Sequence, residues 1–150
     1  MIENNHLNTV YEATCGSFTI TTDQSLLDMH HIVDRLKNEA YWAQDANADM
    51  IAKAMRNSLV FCLRNEEGAQ CGFARVVTDF ALFAYLRDVF IDRGYRGQGL
   101  GSWITETALS HPELKDIPSW MLATEDAHGV YEKMGFHPLK RPDNYMQRLT

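Results

Sequence analysis

The sequence predicts a mixed α/β fold, an α+β arrangement around a mixed sheet, with elements in the order β-α-α-β-β-β-α-β-α-β-β. Three observations carry this. Stretches rich in β-branched and aromatic residues are interleaved with stretches whose apolar residues recur every three or four positions. Several of the strands follow one another with only short turns between them, as in an antiparallel meander, and a strand-helix-strand crossover comes after. The chain has 150 residues, 45% hydrophobic and 23% charged, which suits one domain, residues 1–150, with a core that needs no cross-links.

Each element has a local reason. Residues 17–22 alternate β-branched and polar side chains and read as a strand. Asp23 or Ser25 can cap the helix that follows, where Leu26, Met29, Val33, Leu36 and Ala40 form one apolar face. A second helix spans about 46–56, with Met50, Ile51, Ala54 and Met55 facing inward. Residues 59–63 form a strand, Asn65-Glu66-Glu67-Gly68 a turn, and 71–78 the returning strand of a hairpin. A long strand covers 81–91. Leu100, Trp103, Ile104, Thr107 and Ala108 restore helical spacing. Residues 120–123 are a short strand, and 126–134 a helix that Gly135 ends as its C-cap. Residues 136–139 and 145–149 read as two closing strands.

Composition excludes some functions. No apolar run reaches the length of a membrane span, and the polar N-terminal ten residues do not resemble a signal peptide. A net charge of −6 argues against a general nucleic-acid or anionic-membrane surface. Cys15, Cys62 and Cys71 are odd in number and widely spaced, so reduced thiols in a cytoplasmic protein are expected rather than disulfides. His30-His31 has no partner at metal-ligand spacing, so no metal site is expected.

The most informative segment follows the long strand: Arg96-Gly97-Gln98-Gly99-Leu100-Gly101-Ser102. Glycines let a backbone take positive φ and approach a ligand closely. The unpaired N–H groups at a helix start favour an anion, Arg96 adds a forked cation, and Ser102 a hydroxyl in the first turn. The loop is not a Walker loop, because the lysine followed by Ser or Thr is missing. It is not the dinucleotide GxGxxG either, whose third glycine falls on Ser102. By itself it signifies an anion site or a plain glycine turn.

Arg96, Gly99 and Gly101 resemble motif A of the GNAT superfamily of N-acetyltransferases. The stretch Ala127-His128-Gly129-Val130-Tyr131-Glu132-Lys133-Met134-Gly135-Phe136 is similar to the family's second signature, Ala-x-x-x-Tyr-x-Lys-x-Gly-Phe. Gly72-Phe73-Ala74-Arg75, Phe83-Ala84-Tyr85-Leu86 and the run from Trp120 to His128 resemble a small bacterial subgroup of unknown substrate. The resemblance implies the GNAT acyl-CoA N-acyltransferase fold, acetyl-CoA as co-substrate, no metal, and a possible homodimer formed through the C-terminal strands. It further implies that backbone groups around Phe90 and Ile91 pair with the pantetheine arm and that the Arg96–Ser102 loop, including Gln98 and Leu100, holds the pyrophosphate. Tyr131 corresponds to the tyrosine that protonates the leaving thiolate. Thr124 stands where many members carry a pantetheine-binding asparagine, and Arg93-Gly94 replaces a common Pro-Glu.

Acyl transfer to an amine needs a base for the ammonium and an acid for the sulfur. Tyr131 is the candidate acid; the competing role is packing with Ala127, Val130 and Met134. Asp88 is a candidate base, since period-2 alternation puts Ala84, Leu86, Asp88 and Phe90 on one strand face, where a lone carboxylate is costly unless paired or functional. The competing role is an ion pair with Arg75. His128, three residues before Tyr131, is the other candidate base, against a plain solvated histidine. Tyr41 and Trp42 could cage a cationic amine or simply pack. The acceptor expected is a small-molecule primary amine. A catalytically silent acyl-CoA sensor and an acetyltransferase acting on a protein N-terminus or lysine are the alternatives.

Overall fold

The computed structural model describes residues 6–40 and 46–150. The elements are β1 (Glu12–Cys15), β2 (Phe18–Thr21), α1 (Met29–Asn38), α2 (Ala48–Arg56), β3 (Leu59–Arg64), β4 (Gln70–Thr78), β5 (Ala84–Ile91), α3 (Leu100–Ser110), β6 (Trp120–Met121) and α4 (His128–Glu132). Six strands form one sheet in sequence order. The first five pair antiparallel, and β6 joins β5 in parallel after the α3 crossover.

The expected first strand proves to be the second half of a hairpin. Cys15 pairs with Phe18, leaving Gly16-Ser17 as a two-residue loop, and Gly16 carries a φ of +58°. The helix expected after residue 23 is divided. Asp23 caps a short 3-10 turn, and Asp28 caps α1 by accepting from His31 N–H. The inward face of α1 is Ile32 and Leu36, and that of α2 is Ile51 and Met55. Met50, expected inside, is exposed.

The sheet is covered on both faces. On one, α3 lays Leu100, Ile104 and Ala108 against Leu59, Phe61, Leu63, Ala74, Val76 and Leu86. On the other, α1 and α2 pack Ile32, Leu36, Ile51 and Met55 on Val60, Phe73 and Phe90. The Phe73 and Phe90 rings stack at 5.8 Å. Removing such a buried ring costs about 3–5 kcal/mol.

The two closing strands expected at 136–139 and 145–149 are absent: these residues carry no strand and are largely exposed, Met146 at 98% and Leu149 at 82%. Pro138 removes a backbone donor within the first of these segments, and neither segment pairs with β6, the last strand of the sheet. Strand propensity alone does not form a ladder. Among the described residues no helix is long and apolar enough to cross a membrane.

Candidate active site

The site begins with a fault in β5. Phe73 pairs with Phe90 and Arg75 with Arg87, so Ala74 alone opposes Asp88 and Val89. This is a β-bulge, and Asp88 sits in it with a φ of +53°. Asp is one of the few non-glycine residues that tolerate this conformation. The bulge changes which way the strand faces. Ala84 and Leu86 point toward α3, whereas Phe90 lies in the α1–α2 core. The expected shared face of Ala84, Leu86, Asp88 and Phe90 therefore does not exist, because one left-handed residue interrupts the alternation.

Past the bulge, β5 keeps β4 on one side and loses its neighbour on the other. β6 pairs only with Ala84 and Tyr85, so the remaining β5 edge is open toward a cleft of about 630 Å³. Asp92 N–H donates to Cys71 O at 2.8 Å, so Phe90 and Asp92 direct their backbone groups to β4. Ile91, between them, turns its carbonyl to the cleft. Gly72 allows this close pairing: a Cβ there would lie 2.8 Å from Phe90 O. Of the two backbone candidates, Ile91 is thus placed to receive an added strand; Phe90 borders the cleft, but its backbone faces β4.

The chain then makes a 3-10 turn at Arg93–Tyr95 and enters the glycine loop. Gly97 and Gly99 take φ of +85° and +80°. A Cβ at either would meet nothing within 4 Å, so conformation, not crowding, requires glycine there, and the space above the turn is open. Gly99 is the N-cap of α3 and offers no side-chain cap, which leaves the first N–H groups of an 11-residue helix directed at that space. Arg96, Gly97, Gly99, Leu100, Gly101 and Ser102 border the cleft; Gln98 does not. These residues fit a diphosphate.

Across the cleft stand Thr124 and Tyr131. The Thr124 oxygen accepts from Ala127 N–H at 3.1 Å, fixing the turn into α4. Tyr131 packs edge-on against Phe136, with centroids 6.0 Å apart, and separates this cleft from a second cavity of about 240 Å³. His128 lines that second cavity and not the first. Tyr41 and Trp42 lie outside the described residues.

Asp88 borders the cleft and is 8% exposed. Its carboxylate accepts from Arg75 Nε at 2.6 Å, and Arg75 Nη1 also donates to Ser58 Oγ at 3.2 Å. The ion pair weighed against catalysis from the sequence is therefore present, and it sits at the wall of the cleft.

The sequence model of the acetyltransferase (GNAT) domain matches residues 56–138. The chain belongs to the GNAT acetyltransferase family. A solved GNAT-family structure from Xanthomonas campestris pv. campestris is 36% identical, superposes with a TM-score of 0.86, and covers 91% of this chain and 96% of its own. A Gibberella zeae protein that bears the name of an acetyltransferase is 28% identical over 152 residues, spanning 87% of this chain and 85% of that protein. A Glycine max protein named a histone acetyltransferase is 36% identical over 73 residues, 48% of this chain and 32% of that protein. The GNAT chain is thus an acyltransferase, and the fold inferred from its two signatures is the observed one.

Sequence reasoning missed one group in this GNAT cleft. Glu39, at the C-terminus of α1, borders it and is held by Arg35 Nε at 3.1 Å and Arg93 Nε at 3.3 Å. Arg35 also reaches Asp92 at 2.8 Å, and His31 Nε2 lies 3.0 Å from the same carboxylate. Burial pushes the Asp92 carboxyl up, but hydrogen bonds from Arg35 and His31 outweigh it and hold the group below the usual carboxylate range. This network fastens α1 to the end of β5, next to the glycine loop. Its one legible trace was the i, i+4 spacing of His31, Arg35 and Glu39; their partner 53 residues beyond Glu39 was not legible. Among the described residues no group of three His, Cys, Asp or Glu is placed to hold a metal ion.

Proposed function

We propose that this GNAT enzyme transfers the acetyl group of acetyl-CoA to the primary amine of a small molecule by direct attack in a ternary complex. The observation that carries this reading is the continuity of one cleft. It runs from the capless α3 N-terminus and its two left-handed glycines, along the β5 edge at Ile91 that pairs with no strand, to Tyr131.

The α3 N-terminus and Arg96 would hold the diphosphate, and the Ile91 carbonyl would accept from an amide of the pantetheine arm. Bound there, acetyl-CoA supplies an acetyl group activated as a thioester. Tyr131 would donate its phenolic proton to the departing sulfur. Asp88, directly or through a water, would take the proton that the attacking amine loses as its nitrogen bonds to the acyl carbon. Asp88 is preferred to His128 as base because it borders the same cleft as the loop, whereas His128 faces the neighbouring cavity.

The test is a thiol-release assay with acetyl-CoA over a broad amine panel. Release that depends on a particular amine is expected. Binding of acetyl-CoA with no release from any acceptor would instead identify a sensor. Similarity to the Glycine max histone acetyltransferase favours a second reading, a protein lysine as acceptor, so lysine peptides belong in the same panel.

A further inference from the structure

The inference rests on acetyl-CoA as the donor and concerns how the site distinguishes it from other thioesters. The cleft holds a contact that the donor has to displace. Arg96 Nε donates to Ile91 O at 2.8 Å. The guanidinium carbon sits 5.2 Å from the centroid of the Phe90 ring. The 3-10 turn at Arg93–Tyr95, closed by Tyr95 N–H on Asp92 O at 2.9 Å, carries the side chain back over the strand it has just left.

Two features make this contact consequential. The Ile91 carbonyl is the acceptor that β5 turns to the cleft, while the neighbouring Phe90 and Asp92 backbone groups are committed to β4. Arg96 borders the cleft, and its Nε occupies that carbonyl. Arg96 is also the cation nearest the two left-handed glycines in sequence, and a diphosphate at the α3 N-terminus is a stronger partner for it than a peptide carbonyl.

We propose that Arg96 is a donor-selectivity residue: it covers the pantetheine edge at Ile91 until a diphosphate draws it away, so that the site favours thioesters of CoA over thioesters of pantetheine alone. The exchange is local, because Arg96 is exposed and its removal leaves the buried core intact.

Calorimetry on the full chain tests this with three ligands: acetyl-CoA, S-acetylpantetheine, and adenosine 3′-phosphate 5′-diphosphate. Arg96→Ala is expected to weaken acetyl-CoA by about ten-fold or more, through loss of a charged contact to phosphate. The same variant is expected to bind S-acetylpantetheine about five-fold more tightly, the factor for releasing one exposed cation–π and hydrogen-bond contact of ~1 kcal/mol. Arg96→Met, which keeps the aliphatic stem but cannot donate, should gain similarly. In the wild type, saturating nucleotide diphosphate should tighten S-acetylpantetheine by a similar factor, and in Arg96→Ala it should not. Equal or weaker S-acetylpantetheine binding in both variants overturns the selectivity role alone. Absence of acetyl-CoA binding to the wild type overturns this role together with the donor assignment.

Discussion

Asp88→Asn separates the two roles that Asp88 can have. Asparagine tolerates the left-handed φ of +53°, so the bulge survives the substitution. What changes is charge. Arg75 is 11% exposed at its side chain and Asp88 6%, so the guanidinium loses its counter-ion in a place where water barely reaches. The amide oxygen can still accept from Arg75 Nε, so the cost is that of a charge-assisted bond reduced to a neutral one, about 2 kcal/mol. For a domain of this size that lowers Tm by about 4–8 °C. Adding Arg75→Met removes the orphaned cation and should return most of that loss. Turnover behaves differently if Asp88 is the base. Asp88→Asn alone and the double variant should both be impaired most at low pH, where the fewest acceptor amines are neutral. Thermal melts and thiol release across pH measure the two quantities. A double variant that regains wild-type turnover with an unchanged pH profile refutes the base assignment and leaves Asp88 as half of an ion pair.

Three further outcomes follow from particular side chains. Tyr131→Phe keeps the edge-on contact with Phe136 and loses only the hydroxyl, so turnover should fall while calorimetric affinity for acetyl-CoA stays within about two-fold; an equal loss of both removes the general-acid role. Burial holds the His111 imidazole below its usual value, against a smaller opposing effect of Glu113. Its Nδ1 accepts from Glu113 N–H at 3.1 Å. In the unfolded chain the ring titrates near about 6.5, so that chain takes up its proton first as pH falls. Stability is then complete above about pH 6.5 and declines below it, and His111→Gln should flatten the change in urea midpoint between pH 7.5 and 5.5. Burial pushes the Cys62 thiol up to about 12 and the Cys71 thiol up to about 11, while Cys15 is exposed. Native protein at pH 8 should therefore react with a disulfide reagent at Cys15 alone, and at all three thiols once denatured; rapid labelling of Cys62 in native protein would contradict the packing of β3 against α1.

Much of this fold could be read before the structure, and the failures have physical causes. Helical spacing located α3 closely, because Leu100, Ile104 and Ala108 form one continuous stripe against a single face of the sheet. The glycine loop was legible because positive φ leaves a mark in the sequence. The bulge left no such mark: Asp88 takes the same backbone region without being glycine, so regular alternation assigned Leu86 and Phe90 to one face when they lie on two. The closing strands at 136–139 and 145–149 were inferred from propensity, which takes no account of whether a segment pairs with an available edge, and neither pairs with β6. Gly16-Ser17 did carry a hairpin signal, and the polar residues of β1 concealed it. Glu39 reached the cleft through Arg35 and Arg93, a placement that only the packing of α1 on the sheet creates.

The central claim is that the β5 edge beyond β6 and the α3 N-terminus together form an acetyl-CoA site. Titration of acetyl-CoA into the full chain, with Gly99→Val beside the wild type, tests it most directly. Valine cannot adopt the φ of +80° at the α3 cap without strain. The wild type should show saturable binding at one site per chain, and the folded variant should lose about ten-fold or more in affinity, the equivalent of ~1.4 kcal/mol. Folded wild-type protein that gives no binding signal at millimolar acetyl-CoA, or a folded Gly99→Val variant that binds as tightly as wild type, would contradict it.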